Sequence, residues 1–378
     1  MAGIYIHIPF CKQACHYCNF HFSTLLKGKN EFLGALLKEI DLRKSYLAGE
    51  KIETIYFGGG TPSLFSSEEI KSILDKLRGS FEITQDPEIT LEANPDDLTI
   101  DLLKGLKEAG INRLSIGIQS FFEEDLRWMN RAHSVEQAME CIQNVRDIGF
   151  NNLSIDLIYG SPTLTDDKWK RNVDLAIELE IPHLSCYALT VEPRTALDSM
   201  IKKNKVQDID PDIQARQFLQ LINWLGDAGY EHYEISNFAM PGKRSRHNSS
   251  YWQGKKYLGL GPSAHSFNGH SREWNVSNNA IYAKSILDGI IPSSSEELTS
   301  TQQLNEYIMT SIRTSEGTNL EVIRERFGEN AAAETGKKTD QYIKRELAIK
   351  KDKSIILTTE GKLFADRIAA ELFHPLSP

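Results

Sequence analysis

The sequence predicts an α/β fold: a barrel-like parallel sheet over residues 1–195, an α+β extension over 196–295 and a small, mostly helical domain over 296–378. Two observations predict its main part. Short β-type runs alternate with amphipathic helical runs along the first 195 residues, which is the pattern of βα units and a parallel sheet. The inward positions of these strands are polar, which predicts a hollow lumen instead of the packed interior of an ordinary eight-stranded barrel.

Six strands and the helices between them account for the first domain. Capping-box pairs mark two helix starts, Ser66 with Glu69 and Ser134 with Gln137. Helix ends are expected at glycines that suit a C-cap, namely Gly79, Gly110 and Gly149. The strands are predicted at residues 3–9, 54–58, 88–94, 113–121, 152–160 and 183–191.

The pleat of these strands separates an apolar face from a polar one. Alternate strand residues point to opposite sides, so the apolar set must meet the helices and the polar set must point into the lumen. Burying Glu92 and Asp156 there without partners would cost several kcal/mol. One interpretation is that the polar side chains hydrogen-bond one another. The favoured interpretation is that a ligand fills the lumen. The inward set is Tyr5, His7, Tyr56, Thr90, Glu92, Ser115, Gly117, Gln119, Ser154, Asp156 and Tyr187.

The rest of the chain predicts further helices and short strands. Residues 214–229 have helical periodicity, and 259–267 and 271–278 have the pattern of short strands separated by Gly and Asn turns. From about residue 300 the chain is mostly helical, with a strand pair within 348–358 before a last helix. This order suggests a winged-helix-like domain. It has no basic recognition face, so we expect no nucleic-acid partner.

Composition narrows the class of protein. A chain of 378 residues suffices for two or three domains, and 40% hydrophobic with 25% charged residues is ordinary for a globular protein. The net charge of −9 argues against a nucleic-acid surface, because phosphate binding needs clustered cations. No apolar run approaches the roughly 18 residues that span a bilayer, and strand-like sequence begins by Ile4. We therefore expect a cytoplasmic protein whose five cysteines are thiols or metal ligands.

A cysteine triplet occupies the loop after the first strand. Cys11, Cys15 and Cys18 have the spacing C-x3-C-x2-C, and in barrels chemistry collects on the loops after the carboxyl ends of strands. Three thiolates are one too few for structural zinc, whereas they suit a [4Fe–4S] cluster in which one iron keeps an open site. Zinc, or three unrelated core cysteines, are the alternatives. Cys141 and Cys186 fall on apolar faces and are predicted to be core residues.

This triplet, placed after a first strand and before a helix, resembles the motif of the radical S-adenosylmethionine (SAM) superfamily, and the chain is similar to its oxygen-independent coproporphyrinogen III oxidase branch. The resemblance implies a partial (β/α)6 TIM-like barrel with the cluster at its mouth and SAM chelating the open iron. The run from Gly58 to Ser63 resembles the SAM loop of the superfamily, which assigns Gly59, Gly60 and Thr61 to SAM. A bare turn is the alternative.

The same resemblance assigns further side chains to SAM. Tyr17 would lie near the adenine, and Arg131 would reach a polar group of SAM, although an arginine in a loop is often a solvated charge. The chain departs from the usual pattern of the branch at residues 160–165 and at Ser263, which affects loops near the cavity mouth. The inward residues that match SAM-contacting positions of this branch are Tyr5, Glu92, Gln119 and Asp156.

Within this branch, the chain departs from the oxidases and resembles the haem chaperones. The oxidases resemble C-x3-C-x-F-C-x-C, whereas Tyr17 here replaces the phenylalanine and Phe20 the additional cysteine, and no N-terminal extension that helps hold substrate is expected. The run HNSSYW at 247–252 resembles the HNxxYW hallmark of the haem-chaperone group. Histidine is a natural ligand of haem iron, and aromatic rings offer stacking faces. An ordinary aromatic patch is the alternative. The resemblance thus implies haem binding by His247, Asn248, Tyr251 and Trp252.

These features predict a haem chaperone that passes haem to an apo-haemoprotein, which the resemblance implies is a membrane-bound respiratory protein. The [4Fe–4S] cluster and SAM would then have a regulatory or conformational role, no residue is assigned as catalytic, and the chain would associate with the membrane peripherally. The alternative is a radical enzyme that oxidatively decarboxylates porphyrinogen propionates. Whether the chain forms a homodimer, which residue ligates the haem and whether the attachment is covalent are left open.

Overall fold

The computed structural model describes residues 1–375 and contains a twelve-stranded sheet with six parallel strands at its centre. All six predicted strands are present, and each pairs in parallel with the next along the chain, which confirms the α/β prediction. The strands are β1 (Ala2–Ile8), β2 (Ile52–Gly59), β3 (Ile83–Ala93), β4 (Arg113–Gln119), β5 (Leu153–Tyr159) and β6 (His183–Ala188).

Helices connect these strands, and the two helix starts that the sequence predicts are present. Both capping boxes are present, at Ser66 and Ser134, and Gly110 and Gly149 have the positive φ angles of helix-ending glycines. The prediction for Gly79 is wrong. This residue lies inside its helix, which ends instead because Phe81 adopts an extended conformation. The helices are α1 (Lys29–Leu42), α2 (Ser67–Ser80), α3 (Ile100–Ala109), α4 (Glu123–Trp128), α5 (Val135–Asp147) and α6 (Asp166–Glu178).

The alternation along the strands separates two environments as predicted. Outward-facing residues such as Ile4, Ile55 and Leu114 are completely buried in one continuous core with the helices. Cys141 and Cys186 belong to that core, with 2% and 1% of their surfaces exposed, so neither thiol is near solvent. The main core therefore lies between sheet and helices, and the inner face of the sheet is left for the polar side chains.

The extension continues the sheet at both ends, so the barrel is partial and is not closed within residues 1–375. At one end a strand of the extension pairs in parallel with β1, and at the other end a strand pairs antiparallel with β6. Residue 195 is therefore not a break in the sheet. The elements are α7 (Ala196–Lys202), α8 (Pro211–Asp227), β7 (Glu231–Glu234), β8 (Asn237–Ala239), α9 (Arg246–Trp252), β9 (Tyr257–Leu260), β10 (His265–Phe267), β11 (Ser271–Asn275), α10 (Asn279–Leu287) and β12 (Ser293–Glu297).

The C-terminal region is mostly helical and has its own hydrophobic core, formed by residues between Leu304 and Leu372. A three-stranded sheet includes the predicted strand pair. Within residues 1–375 no helix combines the length and the apolar character needed to cross a membrane. The elements are α11 (Ser300–Ser311), β13 (Thr318–Asn319), α12 (Leu320–Phe327), α13 (Glu329–Lys344), β14 (Ala348–Lys351), β15 (Ser354–Leu357), α14 (Thr359–Lys362) and α15 (Ala365–Leu372).

Candidate functional site

A cavity of about 430 Å³ opens where the carboxyl ends of the parallel strands meet the loop that carries the three cysteines. This is the end of a barrel-like sheet at which ligands are expected, because the loops after the strands converge there. Its lining brings together all the residues predicted for the cluster and SAM except Tyr5. These are Cys11, Cys15, Tyr17, Cys18, Gly59, Gly60, Thr61, Glu92, Gln119, Arg131 and Asp156.

The cysteine loop is held in place by backbone hydrogen bonds. Cys11 N–H donates to the Ser23 carbonyl at 3.0 Å, and Cys18 N–H donates to the Cys15 carbonyl at 3.3 Å. All three thiols are partly buried and line the same cavity. Burial raises the pKa of Cys18 to about 11, which opposes a free thiolate. A bound metal reverses this preference, because a coordinating thiol is deprotonated.

The donor set fits a [4Fe–4S] cluster. Within residues 1–375 no three His, Cys, Asp or Glu side chains are arranged to hold a single metal ion. A cluster takes each thiolate at a different iron atom, so three thiols spread around one cavity suit it better than they suit zinc. The Arg131 guanidinium also donates to Cys15 Sγ at 3.3 Å, and a positive charge beside the sulfur favours the thiolate form.

The glycine loop after β2 is tight because β1 and the cysteine loop lie against it. Gly59 has a φ of 105°, and a Cβ atom there would lie 2.5 Å from the His7 ring. Gly59 N–H donates to Glu92 Oε2, Gly60 N–H to the Ile8 carbonyl and Thr61 N–H to the Phe10 carbonyl, so all three are engaged within the chain.

Two carboxyl groups stand on the inner face of the cavity. Glu92 accepts from the Tyr56 hydroxyl at 2.7 Å and from Gly59 N–H at 3.1 Å, and burial raises its pKa to about 7. Asp156 accepts from the Ser115 hydroxyl at 3.4 Å, and burial raises its pKa to about 6. Part of the polar lumen is therefore hydrogen-bonded within the chain. The cavity above these carboxyl groups remains large enough for a ligand.

Tyr5 and Arg131 differ in how well the structure agrees with their predicted positions. Tyr5 does not line the cavity, because it packs on Tyr56 with ring centroids 6.2 Å apart and its hydroxyl lies 3.2 Å from His7 Nδ1. Arg131 is not a solvated loop charge. Its Nη2 donates to Asn94 Oδ1 at 2.7 Å and to the Gly117 carbonyl at 2.9 Å, which fixes the guanidinium at the cavity wall.

His247 lies in the interior, at the opposite end of the strands from the cysteines. It is completely buried beside Gly3, the second residue of β1, with Nδ1 2.8 Å from Thr54 Oγ1 and Nε2 2.9 Å from the Tyr251 hydroxyl. Burial lowers its pKa to about 3. In this structure both ring nitrogens are therefore engaged within the chain and no solvent reaches the ring, so neither nitrogen is free to ligate iron; the role of His247 as an iron ligand stays a prediction.

The two aromatic residues of the same motif have a different environment. Tyr251 and Trp252 line a second pocket of about 160 Å³, between the extension and the C-terminal region. Tyr257 is a further member, with its ring 4.7 Å from that of Tyr251. Asn248 does not line this pocket and contributes its N–H to the cap of α9 at Ser245. The motif therefore splits between the interior and this pocket.

Sequence reasoning missed Arg113, the first residue of β4. Its side chain is 1% exposed, and its Nε and Nη2 atoms have no hydrogen-bond partner among the described residues. The charge of Arg113 favours the ionised forms of Glu92 and Asp156 and so opposes the effect of burial on them. The strand alternation could have identified Arg113, because it stands two residues before the inward-facing Ser115 and therefore points to the same side.

Comparisons with known proteins agree with the fold. Residues 5–176 match the model of the radical SAM superfamily, and residues 298–364 match that of the HemN C-terminal domain. The chain is 32% identical to "Heme chaperone HemW" of Bacillus subtilis, over 97% of this chain and 98% of the relative. It is 33% identical to "Heme chaperone HemW" of Mycobacterium tuberculosis, over 98% and 94%. The solved structure of "Coproporphyrinogen III oxidase (HemN) from Escherichia coli" is similar with a TM-score of 0.85 and 25% identity, over 98% of this chain and 90% of that one.

Proposed function

The chain belongs to the radical SAM superfamily and, within it, to the HemW family, and from this premise we propose that it binds haem and transfers it to an apo-haemoprotein. The observation that carries the proposal is the similarity to curated haem chaperones over nearly the whole chain. The accompanying support is local. Phe20, which replaces the additional cysteine of the oxidases, is 67% exposed and lines the cavity, so no fourth thiol stands at that position.

The cavity retains what a cluster and SAM would need. Cys11, Cys15 and Cys18 would hold the cluster, and Arg131 would stabilise its thiolates. The polar wall formed by Glu92 and Asp156 would accept hydrogen bonds from the cationic and hydroxyl groups of SAM. The other predicted SAM residues that line the cavity would complete the site, namely Tyr17, Gly59, Gly60, Thr61 and Gln119. When bound, the cluster and SAM supply one-electron radical chemistry. In a carrier they would act on conformation or regulation.

A second candidate is a coproporphyrinogen-oxidase-like enzyme. It is favoured by the structural similarity to HemN and by a cavity that keeps the cluster and SAM residues together. The two candidates differ in a direct assay. Anaerobically reconstituted protein given SAM, a reductant and coproporphyrinogen III forms protoporphyrinogen IX only if the chain is this enzyme, and we expect no product.

The acceptor we propose is a membrane-bound respiratory haemoprotein, which the chain would reach from the cytoplasm by associating with the membrane surface. The test uses haem-loaded, reconstituted protein mixed with the detergent-solubilised apo-form of a b-type respiratory complex, followed by size separation. We expect the Soret absorbance to move to the acceptor fraction faster than free haemin enters it. Haem that stays with this chain, or that transfers no faster than free haemin, would contradict the proposal. The same separation reports whether the chain is a monomer or a homodimer.

A further inference from the structure

We propose that His265, and not His247, is the residue of this chain that ligates the iron of haem, on the open inner face of strands β9–β11. This inference rests on the proposed function, since it assumes that haem is the cargo. The iron ligand would then lie outside the HNSSYW run, and the run would contact the haem through Tyr251 and Trp252.

His265 differs from most other histidines of the chain in the hydrogen bonds of its ring nitrogens. Within residues 1–375, His265 and His270 are exposed and have neither ring nitrogen in a hydrogen bond, whereas each of the other eight histidines has at least one ring nitrogen bonded. Of those eight, His16 and His21 each keep the second ring nitrogen free of hydrogen bonds among the described residues. Both side chains are partly exposed, and both residues lie outside the strands. Both stand on the cysteine loop, beside the cavity that the cluster and SAM would fill. His270 lies in the β10–β11 turn, outside the strand pairing described next.

Strand pairing places His265 on that surface. His265 pairs with Trp274, and Phe267 pairs with both Arg272 and Tyr257, so all five side chains share one face of the sheet. Tyr257 itself pairs with Gly3 of β1, whose missing side chain would point at His247. The face is therefore a continuation of the inner face of the barrel. The Trp274 ring lies 6.2 Å from the imidazole and nearly parallel to it, which limits the orientations of the imidazole while its edge stays in solvent.

The residues beside His265 complement a porphyrin with two propionates, because they offer apolar surface and a positive charge. His265 and Trp274 do not themselves line the 160 Å³ pocket, which begins beside them on the same face, at the next inward-facing residue of β10. There Tyr257 and Phe267 supply apolar surface and Arg272 supplies charge. Arg272 has a buried Nε atom with no hydrogen-bond partner among residues 1–375, although its Nη2 lies 3.0 Å from Glu306. A carboxylate of the ligand would satisfy that Nε atom. The rings of Tyr251 and Trp252 line the same pocket, so the motif contacts the haem through its aromatics.

The small size of the pocket and the lack of a hydrogen bond on the His265 ring both suit a protein that must release its haem. Pockets that enclose small ligands have volumes of roughly 300–1,000 Å³, so this one would cover only an edge of the macrocycle. A ligating histidine becomes more basic when its second nitrogen donates to an acceptor, and His265 has no such acceptor in the part of the chain that the structure describes. The iron would therefore be held weakly and remain open on the other face, where an acceptor protein takes it.

The test is a spectral titration of the full-length protein with haemin. His265→Ala is expected to weaken haem affinity by roughly tenfold or more, whereas the matched control His270→Ala keeps the wild-type affinity and Soret position. His265→Cys is expected to bind haem with a changed Soret band, because the axial ligand sets the electronic state of the iron. Added imidazole should restore the wild-type spectrum to His265→Ala. Circular dichroism checks that each variant is folded.

The outcomes separate this inference from the proposed function. A wild-type chain that binds no haemin would overturn the proposed function and the inference together. A wild-type chain that binds haemin, with His265→Ala unchanged in affinity and spectrum, would overturn the inference alone. Loss of the Soret shift in His16→Ala or His21→Ala, with His265→Ala unaffected, would overturn it as well and move the ligand to the cysteine loop.

Discussion

Replacing His247 by alanine tests the structural role that we assign to this residue. The ring hydrogen-bonds Thr54 Oγ1 at 2.8 Å and the Tyr251 hydroxyl at 2.9 Å, and it stacks on Tyr56 with centroids 4.9 Å apart. A buried polar group left without its partner costs about 1–3 kcal/mol, which applies fully to Thr54 and less to the half-buried Tyr251. The lost stacking adds about 1 kcal/mol. We expect His247→Ala to lower the free energy of unfolding by about 3 kcal/mol in total.

Urea unfolding of the haem-free protein measures this loss as a lower midpoint at an unchanged slope. The matched control is Asn248→Ala in the same helix turn, which should change stability by less than about 0.5 kcal/mol because its side chain makes no hydrogen bond in the described part of the chain. A His247→Ala protein as stable as wild type but without a Soret shift would refute this reasoning, since it would show that the ring acts on haem and not on the fold.

Three further predictions concern the cavity. Cys15→Ala should lose the visible absorbance of the cluster and most of the iron of reconstituted protein, whereas Cys141→Ala, which changes a core thiol, should keep both. Equal iron in the two variants would exclude Cys15 as a ligand. Burial raises the pKa of Glu92 from 4.5 to about 7, so the folded chain holds this proton where the unfolded chain has lost it. Stability should therefore fall as pH rises from about 4.5 through about 7, and Glu92→Gln should remove that part of the slope in urea midpoints; an unchanged slope would contradict the burial. Arg131→Gln should weaken SAM binding by roughly tenfold to a hundredfold in equilibrium dialysis, with the exposed Arg127→Gln unchanged, because a hydrogen bond from a charged group contributes about 1.5–3 kcal/mol. Equal SAM affinity in both variants would remove Arg131 from the site.

The parts of the fold that depend on local pattern could be predicted from the sequence. Strand alternation alone separates the core face from the lumen, because the pleat has a fixed period of two residues. The capping boxes at Ser66 and Ser134 are equally local, since each is complete within four residues. Gly79 shows the limit of such signals, because a glycine near a helix end is a C-cap only if the following chain turns, and here Phe81 runs on in an extended conformation.

The site itself depends on contacts that no local pattern contains. His247 and Tyr251 are four residues apart on one turn of helix, so their mutual contact could be inferred. The decisive contact is with Thr54, 193 residues away, and it exists because α9 packs against the start of β2. The engaged N–H groups of the glycine loop likewise depend on the cysteine loop returning beside β2. His265 became a candidate only through its strand pairing with Trp274.

The EPR spectrum of reduced, haem-loaded protein, recorded before and after addition of SAM, tests the two-site account most directly. The cluster cavity and the His265 face are separate, so SAM should shift the signal of the cluster equally in haem-free and haem-loaded protein. A signal that SAM does not alter in haem-free protein would contradict the open iron site. A shift that haem abolishes would contradict the separation of the two sites.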